Sequence, residues 1–211
     1  MQIAFNRYDG AADVPNVRRM PRKETRAHSA PRTIEELLFR LEAISKNEAA
    51  YRAQYPWAER FVLGYPLPAW QRPLVWADSQ KTRFITSLWM ELDVGTYLVN
   101  DVFESVTIDG REGTVFREFS DILLDGQQRL SALEDYFLGR IAAPDASGVL
   151  TYWPELGRAE RRHFGNQTFS RAAVQSWDEA ELRQMYDLRS FGGTPHTEEQ
   201  RASVPLSISW P

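Results

Sequence analysis

Six residues stand out for the chemistry their types and spacing allow: Asp125-Gly126-Gln127-Gln128-Arg129-Leu130. They follow the apolar run Ile122-Leu123-Leu124 and precede the helical apolar spacing of Leu130, Leu133, Tyr136 and Phe137. A turn that joins a buried strand to a helix brings together free backbone N–H groups and the positive end of the helix dipole, which suits an anion. Gly126 permits close backbone approach and an unusual φ. Arg129 carries a planar fork that matches phosphate oxygens in pairs. Asp125 can hold Mg²⁺ or accept a proton. Gln127 and Gln128 can hydrogen-bond a phosphate, a base or a water. Phosphoryl transfer needs mainly positioning and charge neutralisation, which these types supply. The same residues also read as an ordinary helix-start turn with Arg129 paired to a carboxylate, and both readings stand on the residues alone.

Other segments offer chemistry too. Gly192 and Gly193 precede Thr194-Pro195-His196 and a capped helix start. Paired glycines there can form an anion-binding nest, and His196 can act as acid, base or phosphate donor. A C-cap followed by a proline turn explains the same letters. Arg158, Arg161, Arg162 and His163 form a basic patch that can line a nucleic-acid groove or be a solvated helix face. Asp101, Glu104 and Asp121 lie near strand ends, where any of them is a candidate to share a metal with Asp125.

The elements around these residues follow from punctuation and periodicity. Residues 1–32 hold seven Lys or Arg against three Asp or Glu, net +4, so the rest of the chain carries −8 of the overall −4. Such a basic, Pro-rich stretch reads as an extended arm whose Arg18, Arg19, Arg22 and Lys23 suit a polyanion such as DNA, or as a solvated terminus. Thr33 with Glu36 is a capping box, and apolar spacing predicts a helix from about Ile34 to about Tyr55. Residues 61–68 read as one short strand broken by prolines. Asp78 or Ser79 should cap a helix burying Phe84, Ile85, Leu88 and Trp89. Strands are expected at 97–99 and 102–108, with a turn at Asp109-Gly110 and Gly113 leading into 114–119 as a hairpin. The apolar run 122–124 reads as a central strand. Residues 142–149 read as loop, and helices are expected near 158–163 and 178–186.

The chain has 211 residues, 43% hydrophobic and 12% aromatic, enough for one core. It has no cysteine, which excludes disulfides, thiolate metal sites and cysteine nucleophiles. No apolar run has the length of a membrane span, and the start lacks a signal-peptide layout, so a cytoplasmic protein with no membrane partner is expected, in a bacterial or phage-infected cell.

The hexapeptide at 125–130 resembles the DGQQR signature of the DUF262 family, which includes the N-terminal domain of GmrS/GmrD-type, modification-dependent restriction enzymes. Leu67-Pro68-Ala69-Trp70-Gln71-Arg72-Pro73-Leu74-Val75-Trp76 resembles a second block of that family, and Arg83, Phe84, Ser87 and Leu88 fit its following helix. The resemblance covers about residues 60–140. It implies a ParB/sulfiredoxin-like α+β domain: a small mixed sheet flanked by helices, with the N-terminal arm and helix attached. Residues 33–211 would be one domain, its core motif region 60–140 and its helical C-terminal part 155–211. The resemblance also implies an NTP cofactor, ATP or GTP, with Mg²⁺. Gln71 and Arg72 would join Asp125 to Arg129 in one pocket, with Arg72 a second phosphate ligand.

The expected function is an NTP-binding phosphoryl-transfer enzyme, a hydrolase or kinase, acting on or regulated by DNA in phage or bacterial DNA modification or defence. The alternatives are a DNA nuclease or modification-sensing module of a restriction system, and a non-catalytic nucleotide- or DNA-binding protein. His28, His163 and His196 form no HNH-like set, and the chain ends where the long restriction enzymes continue into a nuclease domain, which favours moving a phosphate over cutting DNA. A monomer and a homodimer are both compatible.

Overall fold

The structure, a computed structural model, describes residues 26–108 and 110–190. In chain order the elements are β1 (His28–Ala30), α1 (Ile34–Ser45), α2 (Glu48–Arg52), β2 (Arg60–Val62), β3 (Tyr65–Leu67), α3 (Asp78–Trp89), β4 (Tyr97–Asn100), β5 (Glu104–Ile108), β6 (Arg111–Val115), β7 (Ile122–Asp125), α4 (Gln127–Phe137), β8 (Ala142–Pro144), β9 (Leu150–Tyr152), α5 (Arg158–Gly165), β10 (Arg171–Val174) and α6 (Glu179–Ser190). This is a mixed α+β architecture built on small sheets. No helix among the described residues is long and apolar enough to cross a membrane.

A four-stranded sheet in the order β1-β10-β4-β7 organises the molecule. β10 runs parallel to β4, while β1 and β7 are antiparallel to their neighbours. One face buries Val99 and Leu123 against Ile34 and Leu37 of α1, Ile85 and Leu88 of α3, and Leu130 and Leu133 of α4. The other face buries Leu98, Ile122, Leu124, Ala172 and Val174 against Leu182 and Met185 of α6. Alternation along each strand thus feeds two cores, which is why β7 reads as unbroken hydrophobicity.

Several expectations need correction. The helix expected over 34–55 breaks after Ser45, because Asn47 adopts φ −153° and its side chain accepts the Ala50 N–H, starting α2. Asn does this readily because its short carbonyl competes with helical backbone bonding. Residues 60–67 form a hairpin rather than one strand: Leu63 (φ 46°) and Gly64 (φ 74°) are both left-handed, the pattern of a two-residue I′ turn. α3 begins one residue earlier than its polar candidates suggested. Ala77 occupies the cap position and its N–H donates to Gln80 Oε1 at 2.9 Å. Gly113 lies within β6, facing Val106, rather than in the turn. Residues 142–152 include the β8–β9 hairpin, whose connection is tied by Asp145 Oδ1, acceptor to the N–H groups of Ser147 and Val149. β7 is an edge strand in hydrogen-bonding order, buried because α6 covers one face and the motif loop its open side.

β10, the strand that joins β1 to β4, has no counterpart among the expected elements. Arg171-Ala172-Ala173-Val174 has a single β-branched residue and no aromatic to mark a strand, and its place is set by pairing on both sides.

Candidate functional site

The turn Asp125-Gly126 sits where β7 ends and α4 begins. Gly126 has φ 102°, and a Cβ there would lie 2.7 Å from Tyr97 Cβ. Glycine is therefore required twice, for the backbone sign and for the close packing on β4. Gly126 has no side chain to cap the helix, and α4 starts without any side-chain cap. Its first N–H groups are thus left to another acceptor.

The two sequence blocks meet here, and the glutamines are what joins them. Gln71 Nε2 donates to Leu123 O at 2.5 Å and Leu124 O at 2.8 Å, closing the open edge of β7. Gln127 Nε2 donates to Arg72 O at 2.9 Å. Gln128 Oε1 accepts the N–H groups of Val75 and Trp76 at 3.0 and 3.1 Å, while its Nε2 donates to Pro73 O at 3.1 Å. All three side chains are buried. Their amides fix the 71–76 loop against the turn, with the buried Oε1 atoms of Gln71 and Gln127 left without a partner among the described residues. Arg60 adds a further clamp by donating to Gln71 O at 2.7 Å.

Arg129 turns inward. Its guanidinium donates to Val94 O at 2.6 Å and Thr96 O at 2.9 Å, lies 3.4 Å from Asp125 Oδ2 and sits over the Phe169 ring. Burial lowers its pKa, Asp125 opposes that shift, and neighbouring Arg189 adds to it. Arg129 is therefore bound up with the backbone before β4, and its removal would take this donor from Val94 O, while Thr96 O would keep the one from Arg189. Arg189, at the end of α6, donates from Nε to Asp125 Oδ2 at 2.6 Å and also bonds Thr96. Asp125 thus lies between two arginines through a single oxygen. Arg72, by contrast, is exposed, and its guanidinium has no partner among the described residues.

Arg72, Trp76, Asp125, Gly126 and Arg129, with Tyr186 and Ser190 opposite, enclose a cavity of about 90 Å³. That is below the roughly 300 Å³ at which small-molecule pockets begin, so the space matches a phosphate group with the remainder of a ligand outside it.

The other expected site residues fall elsewhere. Asp121 precedes β7 and is held by Arg40, while Asp125 ends that strand between Arg129 and Arg189, so the two carboxylates belong to separate clusters. Asp101 lies beside Arg171 and Glu104 beside Arg117, each in an ion pair. Among the described residues no group of three or more His, Asp or Glu is placed to hold a metal. Arg161 donates to Pro154 O at 2.6 Å and lies over the Trp153 ring, while Arg162 is exposed on α5. Arg18, Arg19, Arg22, Lys23, Gly192, Gly193 and His196 lie outside the described residues. Sequence reading missed Arg60 and Arg189. Neither belongs to a motif, and Arg189 reaches Asp125 across 64 positions.

The sequence profile described as the GmrSD restriction endonuclease N-terminal domain matches residues 58–201. The chain belongs to that family. No curated protein and no solved structure matches it.

Proposed function

We propose that this chain is an NTP-dependent phosphoryl-transfer enzyme of ParB/sulfiredoxin-like fold, working on or controlled by DNA in a restriction system of the GmrSD type. The observation that carries this reading is the uncapped start of α4 beside the Arg72 guanidinium, which has no partner among the described residues. Backbone donors, a helix dipole and a free planar cation converge on a space the size of one phosphate. The nucleotide, ATP or GTP, would put its terminal phosphates there and extend its base outward past the 71–76 loop.

The reading also divides the roles of the motif. Arg72 grips phosphate directly. Gln71, Gln127 and Gln128 hold the loop that carries Arg72 at a fixed distance from α4. Arg129 and Arg189 orient Asp125 and supply positive potential behind it. Asp125 Oδ1 accepts no hydrogen bond among the described residues, so it fits as the one carboxylate ligand of a Mg²⁺ that enters with the nucleotide. That ion would neutralise phosphate charge. Alternatively, without the ion on Oδ1, Asp125 would accept a proton from the attacking hydroxyl or water.

The test is incubation with γ-labelled ATP or GTP, Mg²⁺, and plain or hydroxymethylated DNA. Label on DNA indicates a kinase and free phosphate a hydrolase. Shortened DNA would move the assignment to a nuclease. Absence of both turnover and nucleotide binding would sink the proposal. Arg72→Ala is the discriminating variant, because it keeps the backbone carbonyl that Gln127 bonds and removes a guanidinium with no partner among the described residues. It should lose most nucleotide affinity with an unchanged melting temperature.

A further inference from the structure

A second cavity, of about 430 Å³, opens beneath α1, and the motif uses none of its residues. Its size falls within the range of small-molecule sites. Four aromatic rings wall it: Tyr65, Tyr97, Phe103 and Phe116. Tyr65 and Tyr97 stand 6.1 Å apart, and Phe103 meets Phe116 edge to face at 5.5 Å.

The charges that line it cancel. Arg32 pairs with Glu36 at 3.1 Å, Arg171 with Asp101 at 3.0 Å, and Arg40 with the buried Asp121. A cavity neutralised pair by pair is ill matched to a polyphosphate and well matched to a neutral polar ring. The pairs also leave specific valences open. Asp101 and Asp121 each bind their arginine through Oδ2, and neither Oδ1 accepts a hydrogen bond among the described residues. Both carboxylates line the cavity. Two acceptors set among aromatic faces call for a flat ligand that offers two N–H groups.

We propose that this cavity binds a nucleobase, and that its open valences best match the N1–H and N2–H donors of guanine. The aromatic walls supply stacking, which tolerates any base, and the carboxylates select for N–H donors. The base can come from a free nucleoside or from an unpaired position in a nucleic-acid strand. The inference rests on the nucleic-acid reading above only for the second source.

Calorimetric titration of the whole chain tests it without NTP turnover. The probes are guanosine, adenosine, a short all-thymidine strand, and the same strand with one deoxyguanosine. Guanosine should bind about tenfold more tightly than adenosine, the scale of one well-formed pair of hydrogen bonds. Guanosine binding identifies a nucleoside site. Binding only of the guanine-containing strand identifies a site for a base in DNA. Either supports the assignment, and binding of neither overturns it. Phe103→Ala and Asp101→Asn, both at partly exposed positions, should each weaken binding about tenfold with little change in melting temperature. Affinity equal to the parent's in both variants would also overturn it. Arg72→Ala should leave guanosine binding unchanged. A chain that binds guanosine but neither binds nor turns over NTP would fail the proposed function and keep this inference.

Discussion

The turn at Asp125-Gly126 and the cavity beneath α1 are built on opposite principles. At the turn, two motif blocks do the work: one glycine, three buried amides and the helix backbone make a site for an anion, and Arg72, whose guanidinium has no partner among the described residues, is exposed. Beneath α1, the partners come from α1, β3, the ends of β4 and β7, and β10. Their charges are already matched, and what remains open is hydrogen-bonding valence. One site is defined by an unfilled potential and the other by unfilled geometry. Tyr97 touches both, its Cβ packed on Gly126 and its ring in the wall of the cavity.

The contrast is sharpest in stability. Asp121→Ala would leave Arg40 without its carboxylate in a site where that guanidinium also donates to Leu63 O and Gly64 O and lies over the Tyr65 ring. Breaking such a pair costs about 3 kcal/mol. Urea unfolding should show this as the largest loss of the set, and a loss under about 1 kcal/mol would show that the pair is solvated rather than structural. Gly126→Ala must place a side chain at φ 102° and against Tyr97. The expected cost is about 2 kcal/mol, with nucleotide affinity falling at the same time.

Gln128→Ala separates loop fastening from ligand contact. It removes three bonds to the 73–76 backbone and should cost about 1–2 kcal/mol, seen as a lower melting temperature and faster proteolysis of that loop. A variant as stable as the parent but unable to bind nucleotide would instead make Gln128 a ligand contact. Arg129→Ala should resemble Gln128→Ala and not Arg72→Ala, because its donors serve Val94 and Thr96.

The smallest expected effect is a pH dependence. Burial raises the pKa of Glu134, which accepts the Leu63 N–H at 2.5 Å and so ties the β2–β3 turn to α4. A raised folded-state pKa means the folded chain holds that proton more tightly than the unfolded chain. Its contribution is therefore full at low pH and is lost as pH rises from the ordinary Glu range through the raised value. Relative to Glu134→Gln, which keeps the acceptor and removes the charge, the parent should lose stability as pH rises above the ordinary Glu range. A flat difference between the two across that rise would refute the sign.

What the sequence by itself determined is local. The strand, the glycine turn and the helix at 122–137 are legible because apolar period, φ-permissive glycine and helix spacing are written within a few residues of one another. The capping box is likewise real in its return half, with the Thr33 N–H donating to Glu36 Oε1. That the Gln71 block meets the 125–130 block came from a resemblance, and the structure supplied the mechanism, amides bonding backbone across more than fifty positions. Tertiary structure alone decided the remainder. Hydrogen bonding to neighbours, not propensity, makes β10 a strand. Inward packing turns Arg129 into a support and leaves Arg72 free. α6 brings Arg189 to Asp125, and five elements converge on a cavity whose residues share no local pattern. Long-range electrostatic and packing energies depend on distances in space, and one-dimensional spacing does not encode them.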